Sequence, residues 1–225
     1  MALQIQGNSG VIAEVDGTTF RAMRVVSRPI DYGSLGFYDI APLSGAIAAG
    51  IGANSEILQA RWTDATRFAV LQKLVLTGMR TTTAFAVGVI DLTLTIARGW
   101  TVDGTGGTAA TLTGNNQKMR TSMGTSLFGT IRFPTTAALG AGTKTLDAHE
   151  IGRITTHSSA GVGGATPIIG STFLPRYELY EQDVGDGEHP IILATNEGGV
   201  VRCTVPATGV WNIGFHLKWG EVAAF

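Results

Sequence analysis

Trp211-Asn212-Ile213-Gly214-Phe215-His216-Leu217-Lys218-Trp219-Gly220 is the stretch that decides the fold. Large apolar and small or polar residues alternate without a break. Successive side chains of a strand point to opposite faces, so Trp211, Ile213, Phe215, Leu217 and Trp219 all lie on one side. A helix would scatter them around its circumference. The pattern predicts a half-buried strand whose inner face lines the core. At roughly 1.5–3 kcal/mol per large apolar side chain, it supplies on the order of 10 kcal/mol of gross burial.

Working outward from this strand, residues 173–225 read as clean β-structure. Tyr177 and Leu179, His189 to Leu193, Gly199 to Val205 and Val210 to Val222 form runs separated by turn signals at Asp183-Val-Gly-Asp-Gly, Asn196-Glu-Gly-Gly and Pro206-Ala-Thr-Gly. Short strands with turns at roughly ten-residue spacing indicate an antiparallel sandwich or barrel. Ile57 to Trp62 and Phe68 to Leu76 are two more strands, with a turn at Asp64 to Arg67. Thr81 to Trp100 is the longest β stretch. Phe85, Val87 and Val89 share one face, then the phase slips to Ile90, Leu92, Leu94 and Ile96, which predicts a bulge or bend near Gly88 to Ile90 that lets one long strand serve two parts of a sheet. Ser44 to Gly52 holds too many glycines for a helix and reads as extended, packed under another layer.

Two regions are less regular. Residues 1–43 form an N-terminal arm and loop, in which Asp16-Gly17 marks a turn before Phe20 to Val26, and Pro29, Gly33, Gly36 and Pro42 forbid a long element. Tyr32, Phe37 and Tyr38 sit between its glycines, where aromatics anchor a loop to a core or a partner. Arg21, Arg24 and Arg28 read as salt-bridge donors between subunits. Residues 44–225 make a single β-sandwich domain, within which 101–175 is a loop-rich excursion, laid over the domain or a neighbouring subunit, with a short helix expected at Gln117 to Met123 and partial regularity at Ala148 to Thr156. The fold class is therefore mainly β: an antiparallel β-sandwich of jelly-roll type with an extended N-terminal arm and a long irregular central excursion.

Composition narrows the function. The 225 residues are 44% hydrophobic but only 15% charged, with net charge −1. That gives no electrostatic footprint for nucleic acid or an anionic membrane. A surface with so few charges fits a subunit that buries its outside against copies of itself or a neighbour. The single cysteine, Cys203, allows no internal disulfide and suits a reducing compartment. The start, Met1-Ala-Leu-Gln-Ile-Gln, has no basic or apolar signal region, and no apolar run approaches the ~20 residues of a spanning helix.

No catalytic constellation emerges. His149 and His157 lie eight apart rather than four, so they do not form a helical zinc pair, and His189 and His216 are isolated. Gly104-Thr-Gly-Gly-Thr-Ala has the letters of a dinucleotide loop but no following helix. Cys203 has no assignable base and reads as a packed thiol. Asp183, Asp186 and Glu188 surround Gly185 and Gly187, where aspartates bond their own turn, which accounts for them; calcium binding by this loop is the alternative. No catalytic residue, cofactor or metal is expected.

Three segments carry a resemblance: Asp31-Tyr-Gly-Ser-Leu-Gly, Thr113-Gly-Asn-Asn-Gln-Lys-Met-Arg-Thr-Ser-Met-Gly124, and Asn196-Glu-Gly-Gly through Trp219-Gly-Glu-Val. With them the chain resembles virion structural proteins of tailed bacteriophages. The resemblance implies a non-enzymatic particle component made in the host cytoplasm, foremost a capsid decoration (cement) protein, a homotrimer packed on the major capsid protein. A tail-associated tube, adaptor or fibre-attachment protein is the alternative. A carbohydrate- or receptor-binding module, with Tyr32, Phe37 and Tyr38 stacking on sugars, is a third reading.

Overall fold

The computed structural model describes residues 35–48, 51–83, 85–158, 176–182 and 189–223. Among them are twelve strands and no helix. In chain order these are β1 (Gly36–Ile40), β2 (Ser55–Trp62), β3 (Phe68–Thr83), β4 (Gly88–Val102), β5 (Thr108–Ala109), β6 (Phe128–Phe133), β7 (Thr143–Leu146), β8 (Gly152–Ser158), β9 (Tyr177–Glu181), β10 (Ile191–Leu193), β11 (Glu197–Thr204) and β12 (Val210–Val222). Every pairing is antiparallel. The first sheet runs β1-β12-β3-β10, with β9 also on β3; the second runs β5-β6-β2-β11-β4-β7, with β8 also on β4. This is a two-sheet sandwich; the strand order does not by itself define a jelly-roll winding.

Trp211, Ile213, Phe215, Leu217 and Trp219 are all buried in the core between the sheets. Phe128 of β6 meets both Trp219 and Trp62 edge-on, at 5.1 and 5.3 Å between ring centres, and so joins the two sheets at one aromatic contact. The clean alternation of β12 has a structural cause. Its ladder with β3 shifts register at three places, and each time the extra residue (Gln72, Thr77 or Thr82) belongs to β3. The bulges absorb the irregularity in β3, 16 residues long, and leave the 13 residues of β12 in unbroken period two.

Four expectations change. The phase slip before Ile90 is not a bulge in one strand. β3 ends at Thr83 in the first sheet and β4 begins at Gly88 in the second, so the chain crosses between sheets there. Phe85 turns inward against Trp211, while Val87 is exposed on the crossing and Val89 at the start of β4. No helix forms at Gln117 to Met123. Gly114 and Gln117 both take positive φ (67° and 63°), which breaks a helical path.

The excursion is not merely laid over the domain. Four of the second sheet's strands, β5 to β8, come from residues 108–158, joined by long irregular links. Finally, residues 36–40, expected within the arm, are the edge strand β1, in register with Leu217 to Glu221 of β12. Phe20 to Val26, Arg21, Arg24, Arg28, Tyr32 and the Asp183–Glu188 loop lie outside the described residues.

Candidate functional site

The densest polar chemistry among the described residues lies on the outer face of the second sheet, away from the core. A β-bulge creates it. Leu58 pairs with Val201 and Glu56 with Arg202, so Ile57 is the additional residue in β2. The skipped residue puts Glu56 and Gln59 on the same face, although they are three apart. β11 contributes Arg202 and Val200 to this face, and β4 contributes Thr93 and Thr95. Residues 139–146 and Trp100 fold across it. Leu139 forms an isolated bridge with Glu56, and Trp100, Ala97, Val200 and Leu146 make a small apolar cluster of their own. Gly198 is required beneath this cover: a Cβ there would lie 2.2 Å from the Ala60 carbonyl oxygen and 2.7 Å from the Trp100 ring.

The charges of this face are matched within the chain. Lys144 Nζ lies 2.8 Å from Glu56 Oε2 and 4.6 Å from the centre of the Trp100 ring. Arg61 pairs with Asp103 at 2.9 Å and donates to Asn196 Oδ1, while Thr130 donates to the other Asp103 oxygen. Burial pushes the Asp103 carboxyl up, but the hydrogen bonds from Arg61 and Thr130 outweigh it and hold the group below the usual carboxylate range. Arg202 bonds Glu150 and Thr95; Arg153 bonds Glu150 and Asp91; Arg98 is shared between Asp147 and Glu197. Glu150 is held low first by its own backbone N–H and then by Arg153. Gln59 Oε1, Thr93 Oγ1 and the Nε atoms of Arg61, Arg132 and Arg202 are buried without a hydrogen-bond partner.

On the first sheet, Glu221 is fully buried. It accepts hydrogen bonds from Ser126 Oγ (2.7 Å), the Leu127 N–H (3.0 Å) and Trp219 Nε1 (3.1 Å). Burial raises its carboxyl above the ordinary value against the pull of those donors. It thereby clasps the segment 113–127, which lies along the free edge of β1. The Asp39 N–H donates to Gln117 O and the Met119 N–H to Phe37 O, both at 3.1 Å. The strap blunts an edge that would otherwise invite another strand.

The expected interface residues separate in the structure. Tyr38 is buried, stacked on Trp219 at 5.4 Å, with its hydroxyl donating to Gly124 O. It cannot stack on a sugar, which corrects the reading of Tyr38 as a displayed loop aromatic. Glycines on both sides made a strand look like a loop. Phe37 is half-buried, its N–H directed at Met123 Sδ. His216 lies 2.6 Å from Asp39, which also pairs with Lys218. Cys203 is buried and its thiol is pushed up to about 12 by that burial, which disfavours the thiolate. Among the described residues no three His, Cys, Asp or Glu side chains gather as a metal site. No described helix is long and apolar enough to cross a membrane. Known proteins give no match to this chain, whether as a family model, a curated sequence or a solved structure. Sequence reasoning missed the Glu56–Gln59–Lys144 cluster, because a single bulged residue and a link of 85 positions assemble it.

Proposed function

We propose that this protein is a non-enzymatic structural subunit of a tailed-bacteriophage particle, a head-decorating cement protein that forms a homotrimer and packs on the major capsid protein. The observation that carries this reading is the outer face of the second sheet. Arg61, Arg98, Arg153 and Arg202 are each committed to an acidic group of the same chain. A face wired this way resists deformation; an active site keeps its charged groups for a substrate. Two of the segments that carry the sequence resemblance are framework here: 113–124 is the strap on β1, and 196–222 holds β11 and β12. Exposed apolar side chains, among them Leu43, Val87, Val102 and Met119, supply contact surface outside the core.

The test is reconstitution. Purified protein is added to heads that lack it, and occupancy and heat resistance are measured. Saturable binding at hundreds of copies per head, with DNA retained to higher temperature, is the expected result. Binding confined to tails, or a stable monomer that binds no particle component, overturns it.

A further inference from the structure

Lys144, Glu56 and Gln59 are sequestered together, with the Lys144 amine against the Trp100 ring. The side chains of Lys144 and Glu56 are 2% and 9% exposed, and Gln59 is 2% exposed. Glu56 Oε2 touches both nitrogens: Lys144 Nζ at 2.8 Å and Gln59 Nε2 at 2.5 Å. The Gln59 amide is held through its nitrogen, which also donates to Gly140 O at 2.8 Å, while its carbonyl oxygen has no partner. Lys144 is held by the Ala141 carbonyl as well as by the Trp100 ring. Gly104 keeps this packing open, since a Cβ there would collide with the Gln59 amide and the Gly140 carbonyl.

An amine, a carboxamide and a carboxylate touching both nitrogens are the components of an acyl transfer. We propose that Lys144 and Gln59 are joined by a self-formed isopeptide bond, with Glu56 as the proton carrier. Glu56 takes a proton from the Lys144 ammonium, which frees the lone pair of Nζ. Nζ attacks Gln59 Cδ, and the carbonyl π electrons move onto Oε1. Glu56 passes its proton to Nε2, and the attacking nitrogen gives up a second proton by the same route. As the C–O double bond re-forms, the Cδ–Nε2 bond breaks with its electron pair on nitrogen. The ammonium side chain and the carboxamide become one secondary amide plus one ammonium ion. No oxidant, reductant or further reactant is needed. Holding the groups in a water-excluded pocket replaces a bimolecular encounter with a unimolecular step, the situation in which effective molarities reach about 10⁵–10⁸ M. The product ties β2 to the segment that covers it.

The experiment is mass spectrometry on the denatured full-length protein after folding, with peptide mapping. The expected intact mass is below the sequence mass by one ammonia, and digestion yields a branched peptide joining Gln59 to Lys144. Lys144→Arg and Glu56→Gln each restore the full mass expected for that variant. Three results overturn the proposal: a folded wild-type protein of full sequence mass, an ammonia loss that maps to an asparagine succinimide, or a Lys144–Glu56 linkage formed with loss of one water. If either variant fails to fold, the wild-type peptide map decides alone.

Discussion

Tyr38 shows how much one side chain can carry. It fills the core against Trp219 and spends its hydroxyl on the strap at Gly124. Its phenol is pushed up to about 12 by burial and by the neighbouring Glu221 charge, so it remains a hydrogen-bond donor throughout the working range. Tyr38→Phe should cost about 1 kcal/mol through the lost hydrogen bond. Tyr38→Ala should cost about 3–5 kcal/mol through the cavity. Urea denaturation separates the two, and a surface aromatic would show neither loss.

Glu221 makes the opposite kind of contribution. Its carboxyl in the fold lies above the ordinary value of 4.5, so the folded state binds the proton more tightly than the unfolded chain does. This group therefore adds stability as pH falls through its folded value, and the gain levels off below 4.5. Asp103 and Glu150, held low, act in the reverse sense and lose their contributions in acid. Comparing wild type with Glu221→Gln across pH isolates the one group. The wild type should gain on the variant between neutrality and about 4.5; a constant difference would refute the assignment.

At the level of elements, β12 was legible in sequence and β3 was only half so, for one shared reason. They are partners over their full length, yet the three extra residues sit in β3, so one strand displays its period and the other scrambles it. The crossing after Thr83 was misread because a slip of period two looks the same for a bulge and for a change of sheet. β7 gave no periodic signal and β8 only a partial one, since their exposed residues alternate with only partly buried ones, Ile154 and Ser158 apart, and their place is set by β4, whose paired residues lie 41 to 70 positions earlier. β1 was hidden by Gly36, which is there because a Cβ would collide with the Tyr38 ring. Close packing also sets a prediction for β11. Gly198→Ala must displace either the Ala60 carbonyl or Trp100, and should destabilise by about 1–3 kcal/mol. Thermal melting of wild type and variant side by side would read the loss.

For the whole molecule, β12 lies between β1 and β3 in the first sheet, and its side chains fill the centre of the shared core. A chain ending after Pro206 loses that strand and should collect as insoluble material on expression, while the full-length protein stays in the supernatant; a soluble, cooperatively melting truncation would overturn this. The buried thiol offers a second global probe. Cys203 should resist a thiol reagent in native buffer and react in urea along the same curve as the tryptophan signal. Early reaction would reveal that β11 opens on its own.

The pairing of β1 with β12 also sets a timetable. Asp39 and His216, which meet across this ladder, are separated by 177 residues. At roughly 5–20 residues per second, a ribosome needs about 10–35 s to make the second after the first. During that interval the first sheet has neither its central strand nor the clasp at Glu221, and the ladder that β3 makes with β12 along Leu71, Leu74 and Leu76 is unmade. Until β12 is made, β3 therefore carries an unpaired edge, the kind of edge that recruits strands of other chains.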